Sequence, residues 1–378
     1  MARCPDAQVE YAQAYGRLRD AVKRQSSRWD MTDGTSRERL YRVLYGGRAA
    51  VEEVMLQQPQ VAQTLMEGAT SDAPTPSSMV QGVEIHSGDL LLSRGGAPTS
   101  ALIARGNDHP GNFSHVALVH VDEASGQVSV IESHIERGVI VAEVDEYLAD
   151  KKLRIMVLRL RADLPSVVED PFLPHRAAKH ALRRVQAGHV PYDFEMDYQD
   201  SSKLFCSEVA SSAYQEVGVT LWMGLSTLSR AGLRRWLYAL GVRHFTTQEP
   251  SDLEYDPQLA VVAEWRDPDS LWQDHVDNAV IDAMLEGADA GDDLSYPWYQ
   301  LAAARLLKVY SAIRTLLGGR GSIPEGMAAD TALRVRVFSA RHARIAEELY
   351  GDAVQFERER GYRPPYWVLV QLAREQLN

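Results

Sequence analysis

Cysteine is scarce in this sequence, and its scarcity excludes two classes of protein at the outset. The chain of 378 residues contains two cysteines, Cys4 and Cys206. Two are too few for a disulfide-stapled fold or for a cysteine-rich zinc site. Apolar runs are also short, and none approaches the roughly 18 residues that a membrane-spanning helix needs. The composition, with 45% hydrophobic and 24% charged residues, is typical of a folded globular protein.

The N-terminus lacks the apolar centre of a secretory signal, because MARCPDAQVEYAQAYGRLRD turns polar at once. As written, the sequence favours a cytoplasmic protein, and a periplasmic or secreted one if a signal peptide has been removed. Clustered Lys and Arg, which a nucleic-acid-binding surface requires, are missing as well. We therefore expect no nucleic-acid partner and no transmembrane segment.

Negative charge is unevenly distributed along the chain. Forty basic and 52 acidic residues give a net charge of −12. The segment from Glu249 to Asp293 contains 14 acidic residues and a single basic one, Arg266, which leaves the rest of the chain close to neutral. We expect this acidic segment to form a solvated surface where the core meets the C-terminal region, with a basic partner as the alternative interpretation.

The pattern of apolar residues predicts three regions. Helical spacing, as in Tyr11, Tyr15 and Leu18, predicts a helical arm over residues 1–78. A segment rich in Ser, Pro, Thr and Gly over residues 69–82 is the best candidate for a linker. An α+β core is expected over 79–268, and a helical region over 269–378 that is interrupted by a mobile loop at 318–326. Strands are predicted at 89–93, 115–121, 128–134, 139–144 and 153–160, and core helices at 174–188 and 206–218.

Cys206 is the first candidate for a catalytic residue. The apolar spacing of Val209, Ala210 and Ala213 predicts a helix that begins near Cys206. The free N–H groups and partial positive charge of a helix start favour a thiolate and can also hold an oxyanion. The alternative is a small buried residue that fills a contact between helix and sheet.

Two neighbouring strands supply candidate partners for the thiol. His115 opens a strong β run, so its ring would be held rigidly near the end of a strand, as a general base requires. On the next strand Glu132 and His134 share one face, and either of them could orient the histidine. The alternatives are a partly buried structural histidine and solvated edge residues.

Five segments in a fixed order resemble a known family. GDLLLSRG (88–95), NFSHVALVHV (112–121), SVIESH (129–134), PYDFEMD (191–197) and LFCSEVASSAY (204–214) are similar to the YiiX/YebB-like group of the NlpC-type cysteine hydrolases. The resemblance covers about residues 80–268. It implies a circularly permuted papain-like core, an antiparallel sheet packed on helices, with helical extensions at both ends.

The resemblance also implies roles for individual residues. The nucleophile falls on Cys206, the general base on His115 and the third catalytic residue on Glu132, although the related acyltransferases favour a histidine such as His134 there. Tyr192, followed by Asp193, falls on the wall of the active site. No metal or other cofactor is implied.

The sequence therefore predicts a cysteine hydrolase that cleaves an amide bond through an acyl-thioester, with a cell-wall peptide or related amide as substrate. An acyltransferase, or a hydrolase of lipids or thioesters, with the same residues is the alternative. A non-catalytic binding protein on the same fold is the second alternative. The helical extensions could cover the cleft, restrict substrates or bind a partner protein.

Overall fold

The computed structural model describes residues 5–68, 73–317, 319 and 321–377, so Cys4 and parts of the predicted linker and mobile loop lie outside the described residues. The helices are α1 Pro5–Ser26, α2 Gly34–Gln57, α3 Pro98–Arg105, α4 Val144–Ala149, α5 Pro165–Glu169, α6 Leu173–Ala187, α7 Cys206–Gln215, α8 Ala231–Ala239, α9 Asp252–Tyr255, α10 Pro268–Ala290, α11 Gln300–Leu316, α12 Ala329–Arg360 and α13 Tyr366–Glu375. The strands are β1 Leu65–Glu67, β2 Ser77–Val80, β3 Val83–His86, β4 Leu90–Gly95, β5 His115–Val121, β6 Val128–His134, β7 Gly138–Glu143, β8 Lys152–Leu160, β9 Ser226–Thr227, β10 Thr246–Thr247 and β11 Leu259–Trp265.

A seven-stranded antiparallel sheet forms the centre of the molecule, in the order β1-β11-β8-β4-β5-β6-β7. Alternate residues of its strands point to opposite faces. Val116 and Leu118 of β5 pack with Val209 and Ala210 of α7 on one face. On the other face, Ala117 and its neighbours pack against α4 and the β2-β3 hairpin. The α+β fold with an antiparallel sheet packed on helices is confirmed.

The long strands of the core agree with the sequence predictions to within one or two residues, since each combines β-branched residues with flanking turns. The predicted helical arm over 1–78 is wrong in its last part. Leu65–Glu67 forms β1, which pairs with β11 at the edge of the central sheet. Ser77–Val80 forms β2, which pairs with β3. Both strands are short and gain their order from the partner strand rather than from their own sequence.

The C-terminal helices build a second apolar core against the first. Val280 and Met284 of α10 pack with Phe338 of α12 and with Trp236 of α8. Helix α10 has clear sequence signals at both ends, because Asp267 accepts the N–H of Ser270 at its start and Gly291 ends it with φ 115°. No helix within the described ranges is both long and apolar enough to span a membrane.

The acidic segment is not the solvated surface that the sequence predicts. Many of its carboxylates are buried, and arginines from other elements neutralise them. Arg48 of α2 lies 2.6 Å from Glu264 and 2.5 Å from Glu254. Arg154 of β8 lies 2.6 Å from Glu52 and 2.5 Å from Asp274. The sequence count missed these pairs because the arginines are far away along the chain.

We call this group the buried charge cluster. Its basic members are Arg48, Arg94, Arg154 and Arg266, and its acidic members are Glu52, Glu254, Glu264 and Asp274. Every one of these side chains is at most 2% exposed. The cluster therefore connects the N-terminal arm, the central sheet and α10 through charges that have no access to water.

Candidate active site

The candidate nucleophile lies at the start of a helix, as the sequence predicts. Helix α7 begins at Cys206, and the N–H of Phe205 donates to Glu208 Oε2 at 2.8 Å, which fixes the first turn as in a capping box. Val209 and Ala210, one turn further on, anchor the helix in the core. The Cys206 sulfur is therefore held where the free N–H groups of the helix point outward.

His115 and Glu132 meet across two neighbouring strands. Strands β5 and β6 pair with Ala117 opposite Glu132, so His115, two residues before Ala117, is a diagonal neighbour of Glu132 on the same face. The Nε2 atom of His115 lies 2.6 Å from Glu132 Oε2. This contact leaves Nδ1 as the ring nitrogen that can face the thiol. The His115 side chain is still 23% exposed, so a substrate can reach it.

The electrostatics favour the ionised forms of both Cys206 and His115. Burial by itself raises the pKa of the Cys206 thiol, but hydrogen bonding to His115, its charge and the Val116 N–H bring this pKa below the ordinary value. Burial lowers the pKa of His115, yet the hydrogen bonds with Cys206 and Glu132 outweigh burial and raise it. Both shifts favour a thiolate beside an imidazolium.

Both candidates for the third residue lie at the site, but in different positions. Glu132 contacts His115 directly, whereas His134 Nε2 lies 2.9 Å from the other carboxylate oxygen, Glu132 Oε1. Burial raises the pKa of Glu132, but the hydrogen bonds from the two histidines hold this pKa far below its usual range. Glu132 thus remains ionised and able to orient the imidazole, while His134 is placed to orient Glu132.

A cleft of about 500 Å³ is lined by Cys206, His115, Glu132, His134 and Tyr192. The structure thus brings together all the residues that the sequence predicts for the site, with Tyr192 in the wall. Asp193, the next residue, is buried and accepts the N–H groups of two loop residues, at 2.9 Å from Glu195 and 2.6 Å from Asp197. Asp193 therefore shapes the loop that carries Tyr192.

Glu208, two residues after Cys206 in the first turn of α7, is an acidic neighbour of the site that the sequence analysis missed. Burial, reinforced by the charges of Asp193 and Cys206, raises the pKa of Glu208 to about 8. Its carboxyl is therefore largely neutral near pH 7 and does not repel the neighbouring thiolate. A glutamate at the third position of a predicted helix is a known capping signal, so this residue could have been found from the sequence.

An apolar pocket of about 370 Å³ adjoins the cleft and was also missed. It shares part of its lining with the cleft, including Ile103, Ile135 and Tyr192. Leu240 lines it after α8, and Met327 and Val335 of the C-terminal region line it from the other side. No spacing pattern reveals such a pocket, because its walls come from segments that are far apart in sequence.

The described part of the chain contains no group of three or more His, Cys, Asp or Glu side chains placed to hold a metal ion. A thiol at a helix start, beside a histidine that a carboxylate contacts, is the arrangement that cysteine-dependent hydrolases and acyltransferases use.

Comparison with known proteins agrees with this class. Residues 84–263 match the sequence model of the permuted papain-like amidase enzymes of the YaeF/YiiX, C92 family. The match confirms the resemblance inferred from the sequence, and the family points to an enzyme of the cysteine peptidase or amidase type. Residues 1–83 and 264–378 lie outside the match.

One similar solved structure is described as the metalloprotein yiiX from Escherichia coli O157:H7. It is 20% identical in sequence, with a TM-score of 0.39, and the alignment covers 48% of this chain and 97% of that chain. No curated protein matches the chain.

Proposed function

We propose that the protein is a cysteine hydrolase that cleaves an amide bond, with Cys206 as nucleophile, His115 as general base and acid, and Glu132 as the residue that orients His115. The observation that carries the proposal is the contact chain from Glu132 through His115 to Cys206, in one cleft at the start of α7. Peptides, and cell-wall peptides in particular, are the substrate class that we propose.

The geometry supports a two-step reaction. The Cys206 thiolate attacks the carbonyl carbon, and the N–H groups at the start of α7 stabilise the oxyanion. The imidazolium of His115 then protonates the leaving amine as the C–N bond breaks, which leaves an acyl-thioester on Cys206. His115, now neutral, takes a proton from water, and the resulting attack releases the acid and restores the thiolate.

Alkylation of the thiol tests this proposal without knowledge of the substrate. We expect iodoacetamide to label Cys206 rapidly at pH values below the pKa of an ordinary thiol, since His115 lowers the pKa of Cys206. The rate constant should fall as the pH drops through that lowered pKa. His115→Ala should reduce the rate at pH 6 by at least about tenfold, because each unit of thiol pKa recovered is a factor of ten in thiolate.

Cys206→Ser is the control for the site of labelling, and mass spectrometry separates Cys206 from Cys4. Equal labelling of the two cysteines, with the pH profile of a free thiol, would contradict the proposal. That result would favour the second alternative, a binding protein that keeps the fold without the chemistry.

The apolar pocket beside the cleft favours a second candidate function. Because it shares lining residues with the cleft that contains Cys206, it could take the acyl chain of an N-acyl amide, lipid or thioester substrate, and the same three residues would then hydrolyse or transfer an acyl group. Such a substrate predicts a strong dependence of rate on acyl chain length, whereas a peptide substrate without a long apolar group does not.

A further inference from the structure

Helix α11 exposes an unusually apolar surface. Leu306 is 73% exposed and Leu317, just after the helix, is 81% exposed. The exposed large apolar side chains of this segment are Trp298, Tyr299, Leu306, Leu307, Val309, Tyr310, Ile313 and Leu317, and we call them the α11 face. Single exposed apolar residues are common on protein surfaces, but a contiguous set of this size marks a binding surface.

Helix α11, which carries the α11 face, is held in place by contacts on its other side. On the opposite side of the helix, Ala304 and Ser311 are buried, and Ser311 Oγ accepts the N–H of Ile323 at 3.1 Å. Lys308 donates to the carbonyl oxygens of Pro324 and Glu325, each at 2.5 Å. The helix is therefore held to the C-terminal region by its polar side while its apolar side faces outward.

Positive charge borders the apolar residues. Arg305 precedes Val309 by four residues and Arg314 follows Tyr310 by four, so the two arginines flank the face on either side. Both arginines are exposed. From Leu294 to Leu317 the chain has three basic residues and no acidic one, although the whole protein carries a net charge of −12.

We propose that the α11 face binds the surface of an anionic lipid bilayer, with the helix lying in the interface and not crossing it. Apolar residues on one side, arginines at the borders and Trp and Tyr at the start of the segment are the features of helices that lie in a membrane interface. The excess of basic residues selects anionic lipids. A second copy of the chain is a poorer occupant, since it would bring two more arginines against Arg305 and Arg314.

The position of the helix also gives binding a consequence for the cleft. Lys308 holds the loop at Pro324 and Glu325, and Pro324 and Met327 line the apolar pocket that adjoins the cleft. In a protein bound to a membrane through the α11 face, one wall of this pocket would therefore be attached to the helix that contacts lipid. The proposal itself does not depend on catalysis, and its test has no activity readout.

Sedimentation with lipid vesicles tests the proposal on the full chain. We expect the wild type to bind vesicles of phosphatidylcholine with one quarter phosphatidylglycerol, and to bind pure phosphatidylcholine more weakly. Val309→Glu should lower the partition coefficient at least about tenfold, because the exposed valine that would enter the bilayer is replaced by a charge. Arg305→Gln should lower it about fivefold with the anionic vesicles alone.

Val354→Glu is the matched control, since Val354 is an exposed valine on another helix, 48% exposed against 59% for Val309. It should bind as the wild type does, and both variants should keep the wild-type melting temperature. Lipids brominated near the headgroup should quench tryptophan fluorescence in the wild type and less in Trp298→Phe.

Failure of the wild type to bind anionic vesicles would overturn the proposal, as would an equal loss in the two glutamate variants. The proposal would also be overturned if the wild type formed a dimer that Val309→Glu dissociates and did not bind vesicles. That result would identify the α11 face as a protein interface.

Discussion

At the scale of single residues, the site depends on how charge is divided among four side chains. The pKa shifts favour a Cys206 thiolate beside a His115 imidazolium, Glu132 hydrogen-bonds the histidine, and the raised pKa of Glu208 favours its neutral carboxyl. The two candidates for the third residue differ in what they contact. Glu132 hydrogen-bonds His115, whereas His134 contacts the other oxygen of Glu132 and meets His115 only edge to face, with the ring centroids 6.0 Å apart.

This difference predicts different pH profiles for two variants. In Glu132→Gln the neutral amide no longer stabilises the imidazolium, so the pKa of His115 should fall. As the pH rises, the imidazolium should then lose its proton at a lower pH than in the wild type. This pH should fall by one unit for each tenfold loss of stabilisation. His134→Gln should leave this pH nearly unchanged.

The pH at which the His115 imidazolium loses its proton, followed by NMR of its ring from pH 4 to 11, checks both expectations. A shift of this pH in His134→Gln that is as large as the shift in Glu132→Gln would contradict the assignment. It would make His134 an equal member of the site.

At the scale of elements, the apolar pocket is where the C-terminal region reaches the active site. Ala332, in the first turn of α12, lines the pocket, while Ala340 on the same helix is exposed. Residues of α3, of α8 and of the loop that carries Tyr192 complete the walls. The dimensions of the pocket are thus set partly by residues outside the family match.

A large side chain placed in the pocket should lower kcat/KM for substrates with long acyl chains. If an acyl chain occupies it, the wild-type kcat/KM for N-acyl amides should rise about fourfold for each added methylene until the pocket is full. Ala332→Trp should abolish this rise, and Ala340→Trp, the same change at an exposed position, should preserve it. A flat chain-length profile for the wild type would remove the acyl candidate and leave the peptide amide.

At the scale of the whole molecule, the buried charge cluster joins three regions that the sequence analysis treats as separate. Arg48 contributes from the arm, Arg154 and Glu254 from the core, and Asp274 from α10. Buried charges are stable only when they are paired, because removal of one partner leaves the others in a medium of low dielectric constant. The cluster should therefore make the regions unfold together.

Arg48→Met tests this coupling. The substitution leaves Glu254 and Glu264 without their closest cation, and we expect the free energy of unfolding in urea to fall by about 3–5 kcal/mol. Arg42→Met, on the same helix, removes an exposed ion pair with Glu38. This variant should change the free energy of unfolding by less than about 1 kcal/mol. A similar small change in both variants would show that the cluster contributes little.

Elements that depend on residues close together in the sequence were predicted better than elements that depend on distant partners. The strands of the core and the start of α7 depend on patterns of a few residues, and they were predicted closely. Strand β1 depends on a partner about 200 residues away, and it was not. Cys206, His115 and Glu132 were singled out because their segments occur in a recognisable order, and the structure brings them into one cleft.

Features that need several distant segments escaped the sequence analysis. The buried charge cluster looked like a solvated acidic surface, because composition cannot tell a paired carboxylate from a hydrated one. The α11 face was missed for a related reason. Its apolar residues suit a buried helix equally well, and only the packing of Ala304 and Ser311 shows which side points out.

The buried charge cluster has a consequence for anyone who would excise the segment that matches the family. A fragment limited to residues 84–263 would keep Arg94, Arg154 and Glu254 but lose Arg48, Glu52, Glu264, Arg266 and Asp274. Its cut ends would fall in the middle of the charge network, and Arg94, Arg154 and Glu254 would lose their ionic partners in α2 and α10. A transplantable version of this active site must therefore carry α2 and α10 with it, or replace the three orphaned side chains with apolar ones of similar volume.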